Sequence, residues 1–144
     1  MEQALHVITL GVADLERSRD FYVRGLGWTP TLDLAGVVFL QVNHGLLMAI
    51  FPLADLGADA GHPASPGTPF SLGQNVSSEQ AVTAVIESAR AAGATVLKEP
   101  QRADWGGFHG YFADPDGHRW DIVFNPSVSI GADGTVRFSA PSGA

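Results

Sequence analysis

The sequence predicts an α+β fold in which one βαβββ unit is used twice. Three observations predict it. A strand, an amphipathic helix and three further strands follow one another from Leu5, and the same order starts again at Phe70. The landmarks correspond: Val12 stands before the first helix as Val76 stands before the second, and Gly27 follows the first as Gly93 follows the second. The turn Asn43-His44-Gly45 answers to Pro115-Asp116-Gly117, each before the last strand of its half. A unit of this size cannot close a core alone, so the two copies share one. The expected organisation is a first module over residues 1–52, a linker over 53–68, a second module over 69–126 and a C-terminal arm over 127–144, one domain overall.

Each element has a local reason. Leu5 to Val12 is β-branched and apolar, hence a strand. Asp14 is a suitable N-cap and Glu16 suits the first turn, so a helix runs from Leu15 to Arg24, with Leu15, Ser18, Phe21 and Tyr22 as its inner stripe. Strands follow at Trp28 to Leu34, Val37 to Val42 and Leu46 to Phe51. Residues 52–69 hold four of the nine prolines, which suits a joint between halves with one helical turn at Leu53 to Leu56. After the strand Phe70 to Val76, Ser77 with Gln80 has capping-box spacing. Val82, Val85, Ile86 and Ala89 form that helix's buried stripe. Thr95 to Lys98, Phe108 to Phe112 and Arg119 to Phe124 complete the second half, with a loop over residues 100–107. Asp133-Gly134 marks a small hairpin or an irregular arm in the tail.

Composition narrows the function. The formal charge is −7, with eight scattered Lys and Arg, so a nucleic-acid partner is not expected. With no Cys there is no thiolate chemistry. No apolar run reaches the roughly 20 residues that span a bilayer, and Glu2 stands where a signal peptide carries positive charge, so a cytoplasmic protein without a membrane partner is expected.

The stretch Ile8-Thr9-Leu10-Gly11-Val12-Ala13-Asp14-Leu15-Glu16-Arg17-Ser18, with Phe21-Tyr22 and Leu26-Gly27-Trp28, resembles the opening of vicinal-oxygen-chelate proteins. These include glyoxalase I, bleomycin-resistance proteins, fosfomycin-resistance transferases and extradiol dioxygenases. Tyr111-Phe112-Ala113-Asp114-Pro115-Asp116-Gly117-His118 resembles their second signature. The resemblance covers about Leu5 to Phe124. It implies a cupped mixed β-sheet with helices on the outside, commonly assembled across a homodimer. It also implies a divalent metal held at four positions, which fall here on Val7, Ala49, Ser71 and Asp121. One of the four is a ligand for such an ion, where a catalytic site takes about three. His6 is one residue off register, and on a strand that turns its side chain to the other face.

Strand alternation puts Arg119, Asp121 and Val123 on one face, and Trp120, Ile122 and Phe124 on the apolar, helix-facing one. His109 and Tyr111 share a face on the adjoining strand, and the family register places that face in the cup. His109 and Asp121 then form either an acid–base pair or a polar pair lining a ligand pocket, with a weak metal site beside Ser71 as a third reading. Trp105, between glycine-rich neighbours, reads as a flexible aromatic lid or as a residue of a dimer seam. Phe39, Gln41 and Phe51 alternate and line the first half of the cup. Trp28 and Trp120 belong to the core, Asp114 and Asp116 build their turn, and His118 is structural or exposed. His44 and His62 carry no signal, and Asp55, Asp59 and His62 sit on a solvated loop. The reading is a metal-free protein binding an apolar or aromatic small molecule, as a homodimer and without a cofactor. The alternative is a lyase, isomerase or dioxygenase of the same superfamily, dependent on a metal at a degenerate site or on His109 and Asp121 as acid and base.

Overall fold

The structure, a computed structural model, describes residues 1, 3, 5–61, 63–65 and 70–139. His62 lies outside the described residues. The first half runs β1 (Val7–Val12), α1 (Leu15–Arg19), a π-helical continuation Asp20–Gly25, β2 (Pro30–Leu34), β3 (Val37–Asn43) and β4 (Leu46–Pro52). A helix α2 (Leu53–Ala60) follows. The second half runs β5 (Ser71–Asn75), α3 (Glu79–Ala91), β6 (Thr95–Arg102), β7 (Phe108–Ala113) and β8 (Arg119–Phe124), and β9 (Val128–Ile130) pairs with β10 (Val136–Phe138) in the arm. Each half is a four-stranded mixed sheet, ordered β1-β4-β3-β2 and β5-β8-β7-β6, with its first strand parallel to its last. Two mixed sheets with their helices form the α+β fold of paired βαβββ modules. Among the described residues, no helix is long and apolar enough to cross a membrane.

Local chemistry fixes the ends of these elements. The Asp14 carboxylate accepts from Arg17 N at 3.0 Å, as expected of an N-cap. At Asp20 the first helix widens to π geometry, so it is not a regular helix to Arg24. In α3 the cap is Ser78, whose Oγ accepts from Ala81 N at 3.1 Å, so the capping-box reading of Ser77 was one residue early. The turn at Leu53 extends to two turns of helix, since the first proline past Pro52 is Pro63. This places Asp55 and Asp59 on an exposed helix face instead of a loop. β6 continues to Arg102, beyond the expected end at Lys98, because it pairs with β7 as far as Arg102 opposite Phe108. Register shifts around Lys98 absorb Pro100.

One core joins both modules. Leu10, Val12, Val38, Leu40, Met48 and Ile50 of the first sheet pack with Val82, Ile86, Phe112, Trp120 and Ile122 of the second half. Phe21 and Tyr22 lie between them: Phe21 meets Phe112 at 6.3 Å between ring centroids, and Tyr22 meets Trp28 and Trp120 at 5.5 and 6.3 Å. The second sheet thus turns its α3-bearing face to the shared core and leaves its other face open, whereas the outer face of the first sheet carries α2 at Gly11, where an added Cβ would meet Leu53 and Leu56.

A buried polar group fastens the halves. Asp114 is 3% exposed. Its Oδ1 accepts from the backbone N–H of Asp116 and His118 at 2.9 Å each, and its Oδ2 accepts from Tyr22 Oη and His118 Nδ1 at 2.8 Å each. Trp120 Nε1 donates to Tyr22 Oη at 3.1 Å. Next to it, Asp116 accepts from Ala13 N, Arg17 Nη2 and Ser18 Oγ at 2.8 to 2.9 Å, which ties the β7–β8 turn to the start of α1. Asp114 and Asp116 therefore do more than build a turn, and His118 is buried, not exposed, at 4%.

Burial works to raise the Asp114 carboxyl, but the bond and charge of His118 and the Tyr22 bond outweigh it and hold it below its ordinary value. Burial works to lower His118, and Asp114 outweighs it, so the imidazole is held above its ordinary value. The His118 contribution to stability is complete below its unfolded value and is lost as pH rises through the raised, folded one. The Asp114 contribution is present above its unfolded value and is lost as pH falls through the lowered, folded one. Urea midpoints measured across pH should therefore fall on both sides of a mildly acidic maximum. In His118→Gln the loss on the alkaline side should disappear; an unchanged alkaline decline would refute the assignment.

Candidate functional site

Sheet register determines what gathers on the helix-free face of the second sheet. Tyr111 on β7 pairs with Asp121 on β8, and Lys98 on β6 pairs with Tyr111. His109 is two residues before Tyr111 and shares its face. The side chains form one connected row. Lys98 Nζ donates to His109 Nε2 at 2.9 Å, His109 Nδ1 lies 3.4 Å from Asp121 Oδ1, and Tyr111 Oη donates to Asp121 Oδ2 at 2.8 Å. An ammonium offers only donors, so Nε2 accepts, which assigns the ring proton to Nδ1. The 3.4 Å contact does not form a hydrogen bond, and Asp121 Oδ1 is buried without a hydrogen-bond partner. Such an oxygen costs about 1–3 kcal/mol. Burial first, then the Asp121 bond and charge, push the Tyr111 phenol above its ordinary value, so it remains a donor at neutral pH.

Trp105 stands at the His109 end of the row. Its ring stands edge-on to His109 at 5.7 Å, and His109 stands edge-on to Tyr111 at the same distance. The indole lies against Gly107, where an added Cβ would come within 1.9 Å of the ring. Ala103 N donates to Gly107 O and Gly106 N to Ala103 O, both at 2.9 Å, and Gly106 has φ +93°. Trp105 thus sits on a tight, hydrogen-bonded turn, and its exposed ring occupies space that only glycine leaves free. Sequence reasoning missed Lys98. Its signal was present, as the single lysine of the chain on a strand next to His109's, but the strand was expected to end there.

The other candidate residues lie elsewhere. Phe39 and Phe51 are half-buried on the first sheet and make no ring contact with Trp105, His109 or Tyr111. Gln41 uses its side-chain amide on the carbonyls of Asn43 and Leu46, closing its own hairpin. Ser71 pairs with Arg119, so the neighbour of Asp121 on β5 is Gly73, where an added Cβ would meet open space. Gln41 and Ser71 border a different feature, a cavity of about 670 Å³ between the modules, lined by Ile8, Trp28, Leu40, Met48, Leu72 and Trp120 among others. It contains no ionisable group, and its Trp120 N–H is already used on Tyr22. The polar row has more to offer a ligand.

The family metal positions do not fit an ion. Val7 and Ala49 are aliphatic, Ser71 is an exposed hydroxyl two residues out of line with Asp121, and His6 is exposed. Among the described residues, no three His, Asp or Glu side chains converge. The Lys98 ammonium on His109 Nε2 also occupies the lone pair an ion would need.

Residues 4–122 match the model of the Glyoxalase/Bleomycin resistance protein/Dioxygenase superfamily. The chain belongs to that superfamily. A glyoxalase-related enzyme from Fulvimarina pelagi is similar to it, with 42% identity and a TM-score of 0.89 over 96% of this chain and 100% of that one. A glyoxalase/bleomycin resistance protein/dioxygenase from Nocardioides shares 23% identity at a TM-score of 0.71, over 86% and 84% of the two chains. A lactoylglutathione lyase from Agrobacterium tumefaciens shares the fold, with 18% identity and a TM-score of 0.65 over 86% and 95%. A search of curated proteins gives no match.

Gly107→Ala should push the Trp105 ring off its seat. The His109 ring-proton shifts in NMR should then move toward those of Trp105→Leu, which leaves the backbone intact. Unchanged His109 shifts in both variants would show that the indole does not sit against this row.

Proposed function

We propose that this superfamily member binds a planar, largely apolar or aromatic small molecule without a metal ion. The binding surface is the helix-free face of the second sheet, beside Trp105 and along His109, Tyr111 and Asp121. One observation carries the reading: an exposed indole, seated in a hydrogen-bonded glycine turn, stands against His109 at one end of a polar row whose Asp121 neighbours the open space at Gly73. That combination of an aromatic platform and a few fixed polar groups suits a ligand site. Phe39 and Phe51 are apolar residues of the first sheet's outer face, which α2 partly covers beside Gly11, and in the proposed homodimer the uncovered part of this face in a second copy supplies the opposite wall.

The acid–base reading of His109 and Asp121 ranks second. It is favoured by His109 Nδ1 lying 3.4 Å from an unsatisfied carboxylate oxygen. It is weakened at Nε2, which must release Lys98 before it can take a substrate proton.

Protein purified without chelator should carry well under one equivalent of zinc, nickel, manganese or iron by elemental analysis. In a thermal-shift screen of aromatic compounds, hits should persist in EDTA, because a ligand bound by the native state alone raises stability by mass action. Trp105→Ala should weaken a hit about three- to tenfold, the share expected of one aromatic contact. A stoichiometric metal whose removal abolishes binding would overturn the reading.

A further inference from the structure

The charge pairing of the chain identifies the kind of ligand, granted the ligand-binding reading above. The chain has seven arginines and one lysine in a background of −7. Six of the arginines, Arg17, Arg19, Arg24, Arg90, Arg102 and Arg137, each lie within ion-pair distance of a carboxylate. The two basic side chains with no such partner among the described residues are Lys98 and Arg119. In a chain so rich in acid, two unpaired cations are not expected to fall together by composition alone.

Both belong to the face that carries the polar row. Lys98 touches His109, and Arg119 shares a face with Asp121, two residues along β8. The one carboxylate of the row is already engaged by Tyr111 at Oδ2, and its Oδ1 is buried. Two cations against one covered anion leave the face locally positive. Lys98 is half-buried, and it spends one donor on a neutral imidazole, so two of its three N–H groups remain for another acceptor. Ser71 pairs with Arg119 and places a hydroxyl beside it. Strand spacing puts the Cα atoms of Lys98 and Arg119 roughly 12 Å apart, across two strands and two residues along, and both long side chains can reach a one- or two-ring molecule between them.

We propose that the ligand is acidic: an aromatic or conjugated carboxylate whose ring lies against Trp105 and whose oxygens meet Lys98, with Arg119 as the second cation. The carboxylate supplies the counter-charge that these two residues lack among the described residues, at a half-buried Lys98 and an exposed Arg119, and a charge-assisted hydrogen bond is about twice as strong as a neutral one.

Three probes of one shape and different charge test this: 2-naphthoate, 2-naphthylmethanol and 2-naphthylmethylammonium, titrated by calorimetry or ligand-observed NMR. The full chain should bind the carboxylate about tenfold more tightly than the alcohol, and the ammonium most weakly. Lys98→Met should erase the preference, weakening the carboxylate by a larger factor than the alcohol. Lys98→Arg should keep the preference, which guards against a folding defect in the first variant. Arg119→Met should reduce the preference in part. If all three probes bind alike, or if Lys98→Met leaves the preference intact, the acidic class is wrong although the ligand site stands. If none of the three binds, the ligand reading itself falls and this inference falls with it.

Discussion

The structure depends on the satisfaction of one buried carboxylate. Asp114 receives four hydrogen bonds, two from the turn that follows it, one from His118 and one from Tyr22 in the other module. A buried carboxylate that loses such partners costs several kcal/mol, so the turn and the module contact are held together. The cost of misplacing Tyr22 is shared by Trp120, whose indole N–H donates to the same phenol, and by the aromatic packing around both. Asp116 adds the outer fastening to Ala13, Arg17 and Ser18.

The site follows from that anchoring. Fixing the turn fixes the register of β7 against β8, and register decides that Tyr111 stands opposite Asp121 while Trp120 and Ile122 face the core. A shift of one residue would bury the carboxylate and expose the indole. The bulged register of β6 then delivers Lys98 to His109. The helix-free face thus inherits its polar row from the same hydrogen bonds that close the core on the opposite face.

Much of the fold was legible because it rests on local signals. Periodicity located the strands of both halves, and the Asn43-His44-Gly45 and Pro115-Asp116-Gly117 turns marked where they reverse. Ends set by tertiary contacts were not legible: β6 outlasts Lys98 through its pairing with β7, and the first helix turns to π geometry at Asp20. The pairing of His109 with Asp121 could be read from alternation alone. The roles of Asp114 and His118 could not, because Tyr22 lies 92 residues away in sequence from the carboxylate it meets. Lys98 and the seat of Trp105 against Gly107 were hidden for the same reason, each depending on a neighbour that only the folded chain supplies.

The three tryptophans allow one measurement to decide where a ligand goes. Trp105 stands at the His109 end of the polar row, whereas Trp28 and Trp120 line the cavity between the modules. Each has its own indole N–H resonance in a ¹⁵N-correlated NMR spectrum. On addition of a ligand from the aromatic screen, the Trp105 resonance should shift while those of Trp28 and Trp120 hold. A shift of Trp28 and Trp120 with Trp105 unmoved would place the ligand in the cavity and contradict the assignment of the second sheet's free face as the site.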